Sequence, residues 1–431
     1  MTLTVAQPGT WTTRTLPGGL PLVLQRRPAA GLLAARLWIR GGSSRDPAGQ
    51  RGAMQLLAGS MTRGAGGLDA EALADLVEGC GAALRAEASE DALVISLKCA
   101  SDDAPELLPL LLAMAAEPCL QSEQVELERQ LNLQHLQRQR EDPFQLAHDG
   151  LRDLLYGRGP YGHDPLGVEE DLARIGPREL ERLLAALAAP GALLVLCGDV
   201  NEQLEEALSA DLRQRPWPAQ APRMQPWSPA AAPAAAPAVL EQDTEQLVLM
   251  LGAATVPLGH GDALALRLLQ SHLGLGMSSR LFQVMREQRG LAYDVGVHMP
   301  ARCAATPFVL HLSTSAARAG EACAALLEEW QRLAGERLSA ADLQLARAKF
   351  RGQDAMGRQT CSQVADRQAL VLGHGLAGTY VQDCLERAGQ LSAEVLQEAA
   401  RRWLGRPVLS LCGPAEGLRA AERAWQAASA H

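Results

Sequence analysis

The chain has 431 residues, of which 47% are hydrophobic and 21% are charged, so a small single domain and a disordered scaffold are both excluded. The formal net charge is −9, no run of Lys or Arg occurs and only 3% of residues are aromatic, which argues against a nucleic-acid-binding protein. The first 27 residues carry no export signal and no apolar stretch is long enough to span a bilayer, so we expect a cytoplasmic protein without a membrane partner.

The first half of the chain opens with strands and continues mainly as helices. Residues 20–25 and 32–40 are predicted strands, and the Pro-Ala-Ala-Gly sequence between them favours a hairpin. Helical periodicity then predicts a series of helices, the last of which is stopped by the Asp-Pro pair at 142–143. The predicted helices are residues 53–61, 70–79, 105–116 and 122–139, and further strands are predicted at 91–99 and 193–197.

A segment rich in proline and alanine divides the chain. Seven prolines fall between Arg215 and Val239, too many for a continuous helix. We therefore predict an extended, semi-rigid linker at residues 216–238. The predicted domains are residues 1–215 and 239–431.

The second half repeats the plan of the first. Strands are predicted at 246–253, 292–298, 308–313 and 408–412, helices at 261–273 and 279–288, and further helices between 320 and 403. Because each half mixes strands with helices, we predict an α+β fold of two homologous layered half-domains, each an antiparallel sheet covered by helices.

The nine cysteines are scattered along the chain and form no Cys-x-x-Cys pair. This pattern is neither a disulfide framework nor a zinc ribbon. Several of them, such as Cys197, lie in apolar runs, where a reduced cysteine serves as a small hydrophobic side chain. We expect the cysteines to be structural.

A run in the second half resembles a known signature. Ser-Arg-Leu-Phe at 279–282, Arg-Glu at 286–287 and Gly-Leu-Ala-Tyr at 290–293 resemble the C-terminal half of insulinase/pitrilysin zinc peptidases, the group that includes mitochondrial-processing-peptidase-like proteins. The sequence Pro-Tyr-Gly-His-Asp-Pro-Leu-Gly at 160–167 is similar to a loop in the N-terminal half of the same family. The resemblance covers nearly the whole chain and implies a duplicated, metallopeptidase-like fold.

The zinc motif of that family is altered at every position. Members carry His-x-x-Glu-His on a helix, which places two ligands on one helix face beside a catalytic Glu, and a glutamate ligand about 75 residues further on. Aligned by the flanking glycines, the two His become Gln55 and Gly59, and the catalytic Glu becomes Ala58. The glutamate ligand falls at Gln134 or His135. The resemblance therefore implies no metal in this chain and zinc in a partner subunit.

The other half of the family's active site is retained. The resemblance implies that Arg286 and Tyr293 reach across a closed chamber to a peptide held at zinc. Forked guanidinium donors and a phenol hydroxyl both suit a peptide carbonyl that is becoming an oxyanion. The alternative is that Arg286 pairs with a nearby carboxylate and Tyr293 is half-buried packing.

Three functional hypotheses follow. The first is the non-zinc subunit of a heterodimeric insulinase-type metallopeptidase, inactive alone, which lends Arg286 and Tyr293 to a homologous zinc-bearing partner that cleaves peptides. The second is a catalytically inactive structural or peptide-binding subunit of a larger assembly. The third is a self-associating peptide-binding protein without chemistry. A zinc-bearing partner would favour the first hypothesis, and its absence with a stable homodimer would favour the third.

Overall fold

The computed structural model describes residues 10–187, 191–200, 202–214 and 236–429. The predicted linker at 216–238 lies outside the described residues up to position 235, and so do the first nine residues of the chain. The described residues form two compact units. Unit 1 is drawn from 1–135, 164–225 and 356–378, and unit 2 is drawn from 136–163, 226–355 and 379–431.

The part of the chain before the linker holds six strands and eight α-helices among its described residues. The strands are β1 (Trp11–Thr15), β2 (Pro21–Arg26), β3 (Leu32–Arg40), β4 (Ala83–Ala88), β5 (Ala92–Ala100) and β6 (Leu193–Gly198). The helices are α1 (Ala53–Met61), α2 (Ala70–Gly79), α3 (Ala104–Ala116), α4 (Ser122–Gln139), α5 (Pro143–Tyr156), α6 (Glu169–Leu172), α7 (Pro177–Leu187) and α8 (Glu202–Gln214).

The part after the linker holds five strands, seven α-helices and one π-helix among its described residues. The strands are β7 (Ala238–Glu241), β8 (Gln246–Ala254), β9 (Asp294–His298), β10 (Pro307–Ser315) and β11 (Val408–Gly413). The α-helices are α9 (Ala263–Gly274), α10 (Ala319–Gly335), α11 (Ala340–Met356), α12 (Cys361–Gly373), α13 (Tyr380–Ala388), α14 (Ala393–Trp403) and α15 (Ala415–Ser429), and the π-helix is Phe282–Gln288.

Each unit contains one sheet. The sheet of unit 1 has the order β1-β2-β6-β3-β5-β4, and the sheet of unit 2 has the order β7-β11-β8-β10-β9. Neighbouring strands are antiparallel except for β2 with β6 and β7 with β11, which are parallel. The predicted α+β fold with two helix-covered sheets is confirmed, with one parallel pair added to each sheet.

The predicted hairpin of residues 20–25 with 32–40 is wrong. Both segments are strands, but β6 lies between β2 and β3 and pairs with both. All six residues of β6 are buried, and a strand that is apolar at every position is stabilised most in the interior of a sheet with both faces covered. The edge strands β1 and β4, which are short and largely exposed, were not predicted.

A helix contributed by the first half of the chain covers one face of the sheet in unit 2. Asp142-Pro143 ends α4 as predicted but also begins α5, because the Asp142 side chain accepts a hydrogen bond from the Phe144 amide and caps the new helix. Leu151 of α5 is buried against the sheet beside Gly252 of β8, where an added Cβ would lie 2.9 Å from the leucine Cδ2. The sheet therefore depends on a helix from before the linker.

Helix α12 has the corresponding place in unit 1, although it belongs to the second half of the chain. It packs against β3 and β6, with Val364, Ala365 and Ala369 in one apolar cluster with Trp38. Arg36 of β3 is 5% exposed and forms an ion pair with Asp366 of α12. Each sheet is thus completed by a helix from the other half of the sequence.

Three histidines cluster where α5 packs on the sheet of unit 2, with His298 at the exposed end of β9. The ring centroids of His148 on α5 and His298 on β9 are 5.7 Å apart, with the rings nearly perpendicular. Burial, with smaller contributions from Arg152 and Arg302, lowers the pKa of His148 to about 3 and that of His298 to about 4. Burial also lowers the pKa of His311 on β10. These imidazoles are neutral at pH 7.

None of the helices within the described ranges is long and apolar enough to cross a membrane.

The substitution Leu151→Ala should lower the free energy of unfolding by about 2–5 kcal/mol, because it leaves a cavity between α5 and the sheet. Urea unfolding followed by circular dichroism measures this change. Leu127→Ala is the control, because Leu127 is 42% exposed on α4. Equal, small losses for the two variants would contradict the packing of α5.

Stability should fall as the pH is lowered from about 6.5 towards 4. Unfolded histidines bind protons near pH 6.5, whereas His148 and His298 stay neutral in the folded chain until about pH 3 and 4. Between those limits protons favour the unfolded chain, so we expect a loss of about 1–2 kcal/mol between pH 7 and pH 5, mainly from His148, because solvent reaches His298 and screens its shift. Urea unfolding at the two pH values measures it, and His148→Asn should make the loss smaller. Equal stability at both pH values would contradict the neutral state of His148 in the folded chain.

Candidate functional site

Three of the altered motif positions lie on helix α1 in unit 1. The Gln55 side-chain oxygen accepts a hydrogen bond from the Ala88 amide of β4 at 2.9 Å, so it links α1 to the edge of the sheet. Ala58 is fully buried. A methyl group at this position can neither take a proton from water nor bind a metal ion. Both side chains therefore have packing roles within unit 1.

The space beside Gly59 is occupied by a carboxylate from helix α4. A Cβ added at Gly59 would overlap the Oε2 atom of Glu128, whose side chain is 10% exposed. Arg63, which follows α1, donates to the other carboxylate oxygen and forms an ion pair with Glu128. A buried carboxylate needs such a partner, so glycine at 59 and arginine at 63 together accommodate Glu128.

The remaining altered positions, Gln134 and His135, are exposed on α4. His135 lies seven residues, or two helical turns, after Glu128 and so falls near the same face of the helix. The sequence pattern did not single out Glu128. Two sequence features could have identified Glu128. One is its seven-residue spacing from His135, and the other is the glycine at position 59, where the family has its second histidine.

These residues do not fit a zinc site. Zinc in proteins is held by at least three side chains chosen from His, Cys, Asp and Glu. Here the first ligand position is an amide already bonded to a backbone N–H, and the second has no side chain. The third position offers one exposed imidazole at most, and Glu128 is already paired with Arg63.

The retained pair, Arg286 and Tyr293, lies in unit 2 around a sharp turn. Arg286 is on the π-helix, and Gly290 follows in the left-handed conformation with φ of 59°. The amides of Leu291 and Ala292 both donate to the Met285 carbonyl, and their side chains are buried. The turn therefore brings the backbone of residue 293 back towards the helix.

Arg286 and Tyr293 are in direct contact. Arg286 Nη1 donates to the Tyr293 carbonyl oxygen at 3.1 Å. The guanidinium carbon lies 5.0 Å from the ring centroids of both Tyr293 and Phe282, within the range of cation–π attraction. Tyr293 is 77% exposed, so it is not half-buried packing. Within the part of the chain that the structure describes, Arg286 forms no ion pair with a carboxylate.

Other signature residues hold this region in place. Arg280 donates two hydrogen bonds of 2.8 Å to Glu329 of α10, which is 3% exposed, and the bond to Glu329 raises the pKa of Arg280. The Tyr161 hydroxyl, from the loop at 160–167, accepts a hydrogen bond from the Ala304 amide at 3.0 Å. The Arg280–Glu329 pair ties the segment that leads into the π-helix to α10, and Arg286 and Tyr293 are both exposed to solvent.

The substitution Gly59→Ala should lower the free energy of unfolding by about 1–3 kcal/mol, because the new methyl group displaces the Glu128 carboxylate from its pairing with Arg63. Urea denaturation measures the change. Gly352→Ala in the interior of α11 is the matched control, since nothing lies within 4 Å of its added Cβ. The control should gain about 0.5–1 kcal/mol from helix propensity. An equal gain at both positions would contradict the filled space beside Gly59.

Two family models match the chain. A model described as Insulinase (Peptidase family M16) matches residues 22–165. A model described as Peptidase M16 inactive domain matches residues 187–350. Together they cover more than half of the sequence and both halves of the duplicated fold.

Relatives and solved structures agree with the family models. An uncharacterized zinc protease of Streptomyces coelicolor is 24% identical over 418 residues, which is 94% of this chain and 90% of the relative. The solved structure of a peptidase M16 inactive domain from Pseudomonas fluorescens superposes with a TM-score of 0.85 at 23% identity, covering 94% of this chain and 98% of the other. A protease from Helicobacter pylori gives a TM-score of 0.82 at 18% identity, covering 94% and 99%. The chain therefore belongs to the insulinase (M16) family of peptidases.

Proposed function

We propose that this chain is the non-zinc subunit of a heterodimeric insulinase-type metallopeptidase of the cytoplasm. A homologous partner carries the intact His-x-x-Glu-His motif and the zinc ion. This chain contributes Arg286 and Tyr293 to the substrate bound there, and it is inactive alone. The substrates are peptides and short unfolded segments that can enter a closed chamber.

The altered zinc-motif positions support the proposal that this chain is the non-zinc subunit. A peptidase of this type needs three zinc ligands and a general base, and the corresponding positions hold an amide, a methyl, a hydrogen and one exposed imidazole. Glu128 and Arg63 occupy the space beside Gly59, so replacement of one ligand would not create a metal site. Any hydrolysis in which this chain takes part therefore needs another zinc-bearing chain.

The observation that carries the proposal is that the Arg286 and Tyr293 side chains are held in place while exposed to solvent. A surface arginine ordinarily samples many rotamers, and ordering it costs conformational entropy. Here the guanidinium is held between the Phe282 and Tyr293 rings and by the Tyr293 carbonyl, while both side chains remain exposed. A cation and a phenol fixed before a ligand arrives are suited to transition-state binding.

The chemistry that Arg286 and Tyr293 can perform follows from the hydrogen-bond donors that remain available on their side chains. The Tyr293 hydroxyl and the guanidinium N–H groups other than the one on the carbonyl can donate to a peptide carbonyl oxygen. That oxygen gains negative charge as the carbonyl carbon becomes tetrahedral, so both donors bind it more strongly in the transition state than in the substrate. In the assembled enzyme the partner's zinc supplies the activated water.

The substitution Arg286→Ala should lower kcat of the assembled pair by about 100-fold or more, because a charged donor to the developing oxyanion is removed. Tyr293→Phe removes only the hydroxyl and should have a smaller effect in the same direction. Hydrolysis of a quenched fluorescent peptide by the co-purified complex measures both. Loss in kcat, with little change in KM, distinguishes transition-state binding from simple substrate capture.

Arg289→Ala is the matched control for these variants. Arg289 is an exposed arginine three residues further along and pairs with Glu328 at 2.8 Å on the surface. Loss of such a pair costs at most about 1 kcal/mol of stability, so turnover should be unchanged. Full activity of the Arg286→Ala complex, with its subunits still associated, would refute the catalytic role and assign the chain to the structural or peptide-binding class.

A further inference from the structure

Two exposed apolar side chains flank the π-helix that carries Arg286. Met277 is 74% exposed and Tyr293 is 77% exposed, the two highest values for large hydrophobic side chains among the described residues. Met277 lies five residues before the π-helix begins, and Tyr293 lies five residues after it ends. A single exposed apolar residue is ordinary on a protein surface, but this pair brackets the arginine that we assign to substrate binding.

The π-helix holds the backbone of both residues in the same way. Gln283 Nε2 donates to the Met277 carbonyl oxygen at 2.7 Å, and Arg286 Nη1 donates to the Tyr293 carbonyl oxygen at 3.1 Å. Gln283 and Arg286 are three residues apart, and both are exposed. The backbones of Met277 and Tyr293 are therefore tied to neighbouring positions of one helix.

The loop that carries Met277 is held at two further points. The Ser279 amide donates to the Gly276 carbonyl oxygen at 2.9 Å and closes a tight turn, in which Gly276 is left-handed with φ of 76°. Where the loop leaves α9, a Cβ added at Gly274 would lie 2.8 Å from Cγ2 of Val297 on β9. The backbone around Met277 is thus held on both sides while its side chain extends into solvent.

We propose that Met277 determines specificity by packing against an apolar side chain of the bound peptide, within about three residues of the carbonyl at Arg286. This inference rests on the proposed function, because it takes that carbonyl to lie at Arg286 and Tyr293. Side chains three residues apart on a helix have Cβ atoms about 5–6 Å apart, and an extended peptide advances about 3.3 Å per residue. A peptide bound at Arg286 therefore passes the Met277 loop within a few residues.

A methionine in this position favours a class of side chains. Its unbranched, polarizable side chain adapts to partners of different shape, which is why methionine is frequent on surfaces that bind varied apolar ligands. Contact with Leu, Met or Phe removes apolar area from water on both partners. Contact with a charged side chain would remove the water from that charge without supplying a partner for it. The expected substrates are therefore peptides with an apolar residue near the scissile bond.

The first test compares cleavage of a peptide mixture by co-purified complexes that contain the unaltered chain or Met277→Glu. Cleavage sites mapped by mass spectrometry should show one apolar position enriched within about three residues of the cut. Met277→Glu should lower cleavage of peptides with Leu, Met or Phe at that position by about 10-fold. The same variant should favour Lys or Arg there, because a carboxylate replaces the apolar contact.

Met356→Glu is the matched control. Met356 is 60% exposed at the end of α11, so the substitution adds the same charge at a surface methionine. Its cleavage profile should equal that of the unaltered chain. A Met277→Glu complex that retains turnover with an unchanged profile would overturn the proposal. Loss of the partner subunit from Met277→Glu, with an unchanged profile for the complex that remains, would instead assign Met277 to the subunit interface.

Peptide binding separates this inference from the proposed function. Fluorescence anisotropy with the full-length chain needs no hydrolysis, and the probes are two labelled peptides of Gly and Ser that carry a single Leu or a single Lys. Met277→Glu should shift the ratio of the two affinities towards the Lys peptide by about 10-fold. This shift without hydrolysis by any complex would refute the peptidase and retain the apolar subsite. An unchanged ratio with hydrolysis intact would refute the subsite and retain the peptidase.

Discussion

The structure depends on burial of both faces of its central strands. β6 and β11 are buried at all six positions, and β3 and β8 are buried at seven of nine. A strand of this kind is stable only when helices cover the sheet on both sides. The helices on the two faces of each sheet come from different halves of the chain, which makes α5 and α12 indispensable. Neither half of the sequence can complete its own sheet.

This constraint also positions the candidate site residues. Helix α1, which carries the altered motif, is held against β4 by Gln55 and against α4 by the Glu128–Arg63 pair. In a zinc peptidase the metal links the corresponding helices through its ligands. Here the Glu128–Arg63 ion pair links α1 to α4, and the Gln55 hydrogen bond links α1 to β4. The scaffold is therefore retained although these positions do not fit a zinc ion, and Arg286 and Tyr293 contact each other in the other unit.

Much of the fold followed from local sequence patterns, and the exceptions have physical causes. Long periodic helices such as α4 and apolar strands such as β8 and β11 were predicted almost to the residue. The hairpin failed because β6, more than a hundred residues later, pairs more favourably with β2 and β3 than they do with each other. Helix α5 was missed because Asp142-Pro143 reads equally well as an end and as a start. The edge strands β1 and β4 lack the apolar alternation by which strands are recognised.

Only part of the candidate site could likewise be predicted from the sequence. Residue identities alone carry the prediction that the motif does not hold zinc, since an amide, a methyl and a hydrogen are poor substitutes for zinc ligands and a catalytic carboxylate wherever they lie. The stacking of Arg286 between Phe282 and Tyr293 was not predictable, because it depends on a π-helix and on the left-handed turn at Gly290. Glu128 was also missed, since its partner Arg63 is far away in sequence and the space it fills exists only because residue 59 is glycine.

The divided active site that we propose places the metal and the Arg286–Tyr293 pair on different chains. The most direct test is native mass spectrometry of the protein purified from its own host, with metal analysis of each separated subunit. We expect a one-to-one complex with a homologous chain and zinc in that chain alone. Zinc bound to this chain, or a metal-free homodimer without a zinc-bearing partner, would contradict the divided site.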